Sequence, residues 1–157
     1  MQEPIVLKKS KFGKGVFSTK NIKAEEKICT IKGEKINSAD LSRVAETGRN
    51  VLVDPLQIGQ DEFLIVESPC LYLNHSCEPN SGIRNAVELF AIKPIKEGEE
   101  IVFDYSTTWL EGFSCECGSE NCRKHVGDYF TIPKAQRNKY KKINVVPKFI
   151  LQADIEN

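Results

Sequence analysis

A chain of 157 residues has the length of one domain with a single hydrophobic core, so one domain with a short tail is expected. Its 22 Lys plus Arg are matched by 22 Asp plus Glu, so no global field draws it to nucleic acid or anionic lipid, and a specific protein or small-molecule partner fits better. Met1 to Lys9 lacks the apolar run of a secretion signal and no window nears the roughly 20 apolar residues of a membrane span, so an intracellular setting is expected, with cytoplasm and nucleus both open.

Along the chain, short β-rich segments alternate with turn residues. The first expected strands are Ile5 to Leu7 and Gly15 to Ser18. Between them lie a basic stretch and Gly13-Lys14-Gly15, where missing side chains let a ligand approach the backbone. Lys27 to Ile31 follows, then a helix from a Ser38 cap through Leu41, Val44 and Ala45 to a stop near Gly48. Asn50 to Val53, Phe63 to Val66, Val87 to Ile92 and Ile101 to Phe103 read as further strands, with turns at Gly33, Pro55, Gly59, Pro69, Pro79, Pro94 and Gly98. A second helix is expected from Pro133, a favoured first helical position, through Lys142. Its Lys134, Arg137, Lys139, Lys141 and Lys142 read as a solvated face ahead of a nuclear address or a nucleic-acid contact. Pro147, Phe149, Ile150 and Leu151 are expected to pack the tail back onto the domain. Many short strands and few helices predict a mainly β fold with minor α, built from several small sheets.

Two polar stretches carry the first chemical signals. Asn74-His75-Ser76-Cys77-Glu78-Pro79-Asn80 stands behind apolar Leu71 and Leu73. Its Asn and His offer directional donors and acceptors for a polar ligand, while a capped turn is the plainer reading. Gly98 to Tyr105 reads as a turn, a strand and then Asp104 beside Tyr105, a tyrosine that spacing alone makes a half-buried packing residue.

Six cysteines in an intracellular chain are expected to stay reduced. Cys29 and Cys70 stand apart among ordinary neighbours and read as buried packing residues. Cys115, Cys117 and Cys122 crowd together, and thiolates so spaced suit tetrahedral zinc, whose bonds to sulfur are about 2.3 Å long. Three ligands need a fourth. Spacing offers His125, just past Cys122, or distant Cys77, which would staple the tail to the core.

In sequence order, the glycine pair, Asn74-His75-Ser76-Cys77 with Pro79-Asn80, Asp104-Tyr105 and the cysteine triplet resemble the SET-domain family of lysine methyltransferases with its post-SET zinc segment. The resemblance runs from about Val6 to Val126. It implies a SET-domain fold, with small β-sheets around a knot-like crossing of the Asn-His-Ser-Cys and Asp-Tyr threads. It also implies three parts: a SET domain over 1–110, a post-SET zinc-binding segment over 111–132 and a C-terminal helical tail over 133–157.

The same resemblance implies the site. S-adenosylmethionine would be the methyl donor, its methionine end meeting the backbone around Lys14 and Gly15 and the side chain of Asn74, with His75 on the adenine side. Tyr105 would be the catalytic tyrosine, also touching the cofactor, and Phe103 would line the lysine channel, leaving room for dimethyl or trimethyl products. Cys77 would join Cys115, Cys117 and Cys122 around a structural zinc, leaving His125 to the surface or to packing. Phe113 and Glu116 accompany a post-SET wall of the pocket. The implied partner is a protein or peptide bearing lysine, a histone among the candidates, with neither direct nucleic-acid binding nor a membrane.

The chemistry sets its own demand. A lysine of reference pKa ~10.4 is protonated at neutral pH and cannot attack. A neighbouring sulfonium and an apolar channel both disfavour the ammonium form, and displacement then requires in-line alignment. Leu71-Tyr72-Leu73 departs from the Arg, Phe and Ile that many members carry there, and the short insert between Asp54 and Glu67 leaves substrate choice open. The rival reading is a non-catalytic SET-fold module that binds a protein partner; retention of Asn74, His75 and Tyr105 argues against it.

Overall fold

The structure, a computed structural model, describes residues 2–46, 55–108 and 112–156. The strand expected at Asn50 to Val53 and the helix stop near Gly48 lie outside the described residues.

The chain opens on an antiparallel hairpin, β1 (Ile5–Ser10) and β2 (Gly13–Ser18), in which Ser10 pairs with Gly13 across the two-residue turn Lys11–Phe12. Gly13 sits at φ 95°, a conformation open to glycine and costly for other residues. Two three-stranded antiparallel sheets follow. One joins β4 (Gly33–Ile36), β5 (Leu56–Gln57) and β6 (Phe63–Val66), with β6 central. The other joins β3 (Lys27–Thr30), β8 (Ser81–Arg84) and β9 (Glu88–Ala91), with β9 central. Two short pairs complete the β structure: β7 (Asn74–His75) with β10 (Val102–Phe103), and β11 (Phe113–Ser114) with β12 (His125–Val126). The fold is therefore mainly β with minor α and small sheets. The strand expected at Ile101 to Phe103 contains β10, while the two-residue strands β5, β7, β11 and β12 have too little periodicity to show in the sequence.

Three helices are present among the described residues: α1 (Ser38–Glu46), α2 (Lys134–Lys142) and α3 (Lys148–Glu156). The cap of α1 is Asn37 rather than Ser38, since the Asp40 N–H donates to Asn37 Oδ1 at 2.8 Å. Pro133 stands just outside α2 with extended ψ of 139° instead of opening it.

The main core gathers Val16, Ile22, Leu64, Leu89, Ile95 and Ile101 between the hairpin and the sheets. A second cluster, Tyr129, Ile132, Tyr140, Val145, Val146 and Ile150, seats the tail, with Phe149 and Leu151 packed against it. The tail fits because β8 carries Gly82: a Cβ there would lie 2.5 Å from the Val145 side chain. Lys134, Lys139 and Lys142 are exposed, and Lys141 pairs with Asp154 of α3 at 2.9 Å. Among the described residues no helix is long and apolar enough to cross a membrane.

Candidate active site and thiol cluster

The two polar stretches singled out by sequence meet in the only way two distant segments can pair in parallel, through a long crossover. Asn74 pairs with Val102 and His75 with Phe103, and the Ser76 N–H donates to the Phe103 carbonyl at 3.1 Å. Asn80 acts as a further rung. Its Nδ2 donates to the Glu100 carbonyl at 2.8 Å and its Oδ1 accepts from the Val102 N–H at 2.9 Å, so one 3% exposed side chain satisfies two backbone groups of the facing stretch.

An open cleft of about 240 Å³ lies on one side of this pairing, lined by Phe12, Asn74, His75, Glu78, Glu100 and Cys117 among others. Asn74 is fixed there by three acceptors: its Nδ2 donates to the Lys14 carbonyl at 3.0 Å, to Glu100 Oε1 at 2.8 Å and to Ser10 Oγ at 3.3 Å. The reason for Gly15 differs from the expected one. A Cβ at Gly15 would lie 2.3 Å from Glu100 Oε1, so the space that glycine leaves is filled by a carboxylate. Lys14 contributes its backbone to the site, while its Nζ lies over the Tyr72 ring at 5.0 Å. Across the cleft mouth, Lys11 Nζ donates to the Glu116 carbonyl at 2.8 Å, tying the hairpin turn to the cysteine loop.

The ring of His75 turns inward, with a side chain only 5% exposed. The Tyr105 N–H donates to its Nδ1 at 3.1 Å, which leaves the proton on Nε2, 3.3 Å from Cys77 Sγ. Burial pushes its pKa down to about 4; the Asp104 charge opposes this and the Arg123 charge adds to it, so the ring is neutral. It packs edge-on against Tyr105 and Phe113, each at 5.3 Å between ring centres. Tyr105 in turn donates its hydroxyl to the Leu73 carbonyl at 2.5 Å, and Phe103 tilts against it at 4.9 Å.

Next to Tyr105, Asp104 is 2% exposed and closed in on every side. Arg123 grips it with two hydrogen bonds, Nη1 to Oδ2 at 2.7 Å and Nη2 to Oδ1 at 2.8 Å, and reaches Ser106 Oγ with Nη2 at 2.9 Å. The Tyr140 hydroxyl donates to Asp104 Oδ2 at 2.9 Å, while Gln136 Nε2 links that hydroxyl to the Cys77 carbonyl. Burial alone would lower the Arg123 pKa, but the bonds and charge of Asp104 hold it above its ordinary value. Burial and then Asp104 keep Tyr140 protonated well above the usual phenol range. Sequence reasoning missed Arg123, Gln136, Tyr140 and Glu100. The one available signal was Asp104 itself, an acid beside a motif tyrosine that needs a cation once buried.

The four thiols of Cys77, Cys115, Cys117 and Cys122 converge, all sulfurs lying within 4.8 Å of one another. A tetrahedron with metal–sulfur bonds of about 2.3 Å has edges of about 3.8 Å, and Cys77 and Cys115 are 3.8 Å apart. This donor set fits zinc. Burial pushes the Cys77 thiol up to about 12, so a cation beside it is what would make it a thiolate. Exposed His125, on β12, is outside the group, with its ring near Gly112. Cys29 and Cys70 are buried as expected, but against each other, 3.5 Å apart.

Comparison with known proteins places this geometry. The family described as SET domain matches residues 13–106. The chain is 32% identical over 133 residues to the Drosophila virilis protein named histone-lysine N-methyltransferase trithorax, a stretch covering 73% of this chain and 3% of that one. It is 30% identical over 138 residues to the Caenorhabditis briggsae protein named probable histone-lysine N-methyltransferase set-23, covering 74% of this chain and 57% of the relative. Among solved structures, one described as ctPRC2 in an autoinhibited conformation bound to S-adenosylmethionine shares the fold at a TM-score of 0.59, with 24% identity over 69% of this chain and 16% of that one.

Proposed function

The chain belongs to the SET-domain family, and from that premise we propose that it is a protein-lysine N-methyltransferase using S-adenosylmethionine. The observation that carries the reading is the parallel pairing of Asn74–His75 with Val102–Phe103, which sets Asn74 at the cleft and leaves Tyr105 against His75. S-adenosylmethionine, when bound, supplies an electrophilic methyl group on a sulfonium sulfur. The side chain of Asn74 and the carbonyl of Lys14 hold its amino-acid end. With the ring of His75 turned inward, the backbone of that residue meets the adenine side. The Tyr105 hydroxyl and the Leu73 carbonyl present oxygens that orient the reacting groups through weak C–H contacts, and position does most of the work. Phe103 gives the amine an apolar neighbour, which favours its uncharged, attacking form.

Cys77, Cys115, Cys117 and Cys122 hold a structural zinc, since four thiolates leave no open position for water or substrate. A zinc ion held by these four residues would order the loop carrying Cys117 and Glu116, which walls the cleft and is tied to the hairpin turn by Lys11. The substrate is a lysine-bearing protein, with histones the first to try because the relatives' names point to them.

The test is incubation of zinc-loaded protein with labelled S-adenosylmethionine and a mixture of histones and other lysine-rich proteins. Label is expected on a lysine, and Tyr105→Phe is expected to cut the rate by on the order of 10²–10³ with the fold intact. Near-normal turnover in that variant overturns the role of Tyr105.

A further inference from the structure

Glu100 has no part in the family reading above, yet it is the carboxylate nearest the groups assigned to the donor's amino-acid end. It lies on the stretch that runs beside β2: Phe17 bridges to Glu100, and the Ile101 N–H donates to the Val16 carbonyl at 2.8 Å. That placement presses the carboxylate into the space left by Gly15. One oxygen, Oε1, takes both internal hydrogen bonds, from Ser10 Oγ at 2.9 Å and from Asn74 Nδ2 at 2.8 Å. The other, Oε2, has no partner among the described residues, although the side chain is half-buried and lines the cleft.

The acceptors here outnumber the donors. Asn74 spends its Nδ2 on the protein, which leaves its Oδ1 unpartnered among the described residues. The Lys14 carbonyl keeps a second lone pair. Glu100 Oε2, Asn74 Oδ1 and the second lone pair of the Lys14 carbonyl thus gather at one place, three acceptor positions with no proton donor among the described residues. An alkylammonium carries three protons in that arrangement and a positive charge besides. The wider lining agrees in sign: Glu78, Glu99 and Glu100 face the cleft against Lys93.

Resting on the proposed activity, we infer that Glu100 is the counter-charge for the α-ammonium of S-adenosylmethionine, accepting one of its protons through Oε2 while Oε1 orients Asn74. It is a binding and positioning residue, and takes no part in methyl transfer itself. The inference distinguishes charge at the amino-acid end from charge at sulfur, and three adenosine ligands separate the two. S-adenosylmethionine carries both charges, S-adenosylhomocysteine keeps the ammonium without the sulfonium, and 5′-methylthioadenosine has neither.

Zinc-loaded wild-type protein and Glu100→Gln, which keeps an acceptor for Ser10 and Asn74 but removes the charge, are titrated calorimetrically with each ligand. The expected result is that Glu100→Gln weakens S-adenosylmethionine and S-adenosylhomocysteine alike, by about tenfold, and leaves 5′-methylthioadenosine unchanged. Equal loss for all three ligands makes Glu100 merely structural and overturns the inference. Loss for S-adenosylmethionine alone places the carboxylate at the sulfonium and overturns it too, as does no change for any ligand. These outcomes require that the wild type binds; if the wild type takes none of the three ligands, the methyltransferase reading falls first and this inference with it.

Discussion

Two polar centres hang on the same pair of short strands, and they are built to opposite specifications. Around Asn74 the side chains are half-exposed, three acceptors crowd one amide, and the carboxylate of Glu100 keeps an oxygen with no partner among the described residues. Around Asp104 everything is shut in: a 2% exposed carboxylate takes two bonds from Arg123 and one from Tyr140, and Ser106 Oγ passes its own proton to the Gly127 carbonyl. Open, acceptor-rich polarity is left for water or a ligand to complete. Closed polarity holds two threads and a tail in register, and of its groups Arg123 Nε stays buried without a hydrogen-bond partner among the described residues.

The largest expected effect falls on the closed centre. Arg123→Met leaves Asp104 buried without its cation and should cost about 3–5 kcal/mol of unfolding free energy, read from the shift in urea midpoint. The Arg123 backbone N–H donates to Cys77 Sγ at 3.4 Å, a bond that the Met variant keeps, so the loss reads the side-chain clasp on Asp104. A variant that keeps wild-type stability would show that the pair is not the clasp described here. Chelation comes next. Removing zinc with a strong chelator should lower Tm and abolish turnover together, because Cys77 joins the crossing to a loop whose remaining sulfurs come from residues 115 to 122. An unchanged melting curve after verified metal loss contradicts a structural metal.

The smallest expected effect is at the lysine side of the open region. Phe103 packs 4.9 Å from Tyr105, and Phe103→Tyr adds a hydroxyl that takes up room and a hydrogen-bonding position beside the amine. Mass spectrometry of the methylated product should then move toward monomethyl-lysine. An unchanged product distribution assigns Phe103 to packing alone.

These contrasts also explain what could be read in advance. Short unbroken apolar runs rich in β-branched and aromatic residues, such as Ile5 to Leu7 or Phe63 to Val66, fell inside the observed strands because such residues suit a pleated, partly buried surface. Asn74–His75 pairs with Val102–Phe103 in a sheet of two residues each; Ile101 to Phe103 was legible as a strand, but Asn74–His75 is too short for any period and only its residue types marked it. Cys115, Cys117 and Cys122 were legible because their close spacing suits a metal, whereas spacing left Cys77 level with His125 and only the family resemblance singled it out. Arg123 was not legible: one basic residue after a cysteine looks like surface until Asp104 is seen to be buried beneath it. Tyr140 and Gln136 lay in a lysine-rich stretch whose exposed face masked a buried one, Tyr140 being 4% exposed. Glu100 lay within the Gly98 to Tyr105 stretch with no role marked, since nothing local betrayed the space that Gly15 leaves for it.

The central claim is that the open centre is completed by an adenosyl sulfonium ligand. Calorimetric titration of zinc-loaded protein with S-adenosylmethionine tests it most directly. Saturable binding at one site, with an affinity of about 1 μM to 1 mM, is the predicted result. No heat and no retained ligand at millimolar excess would contradict it.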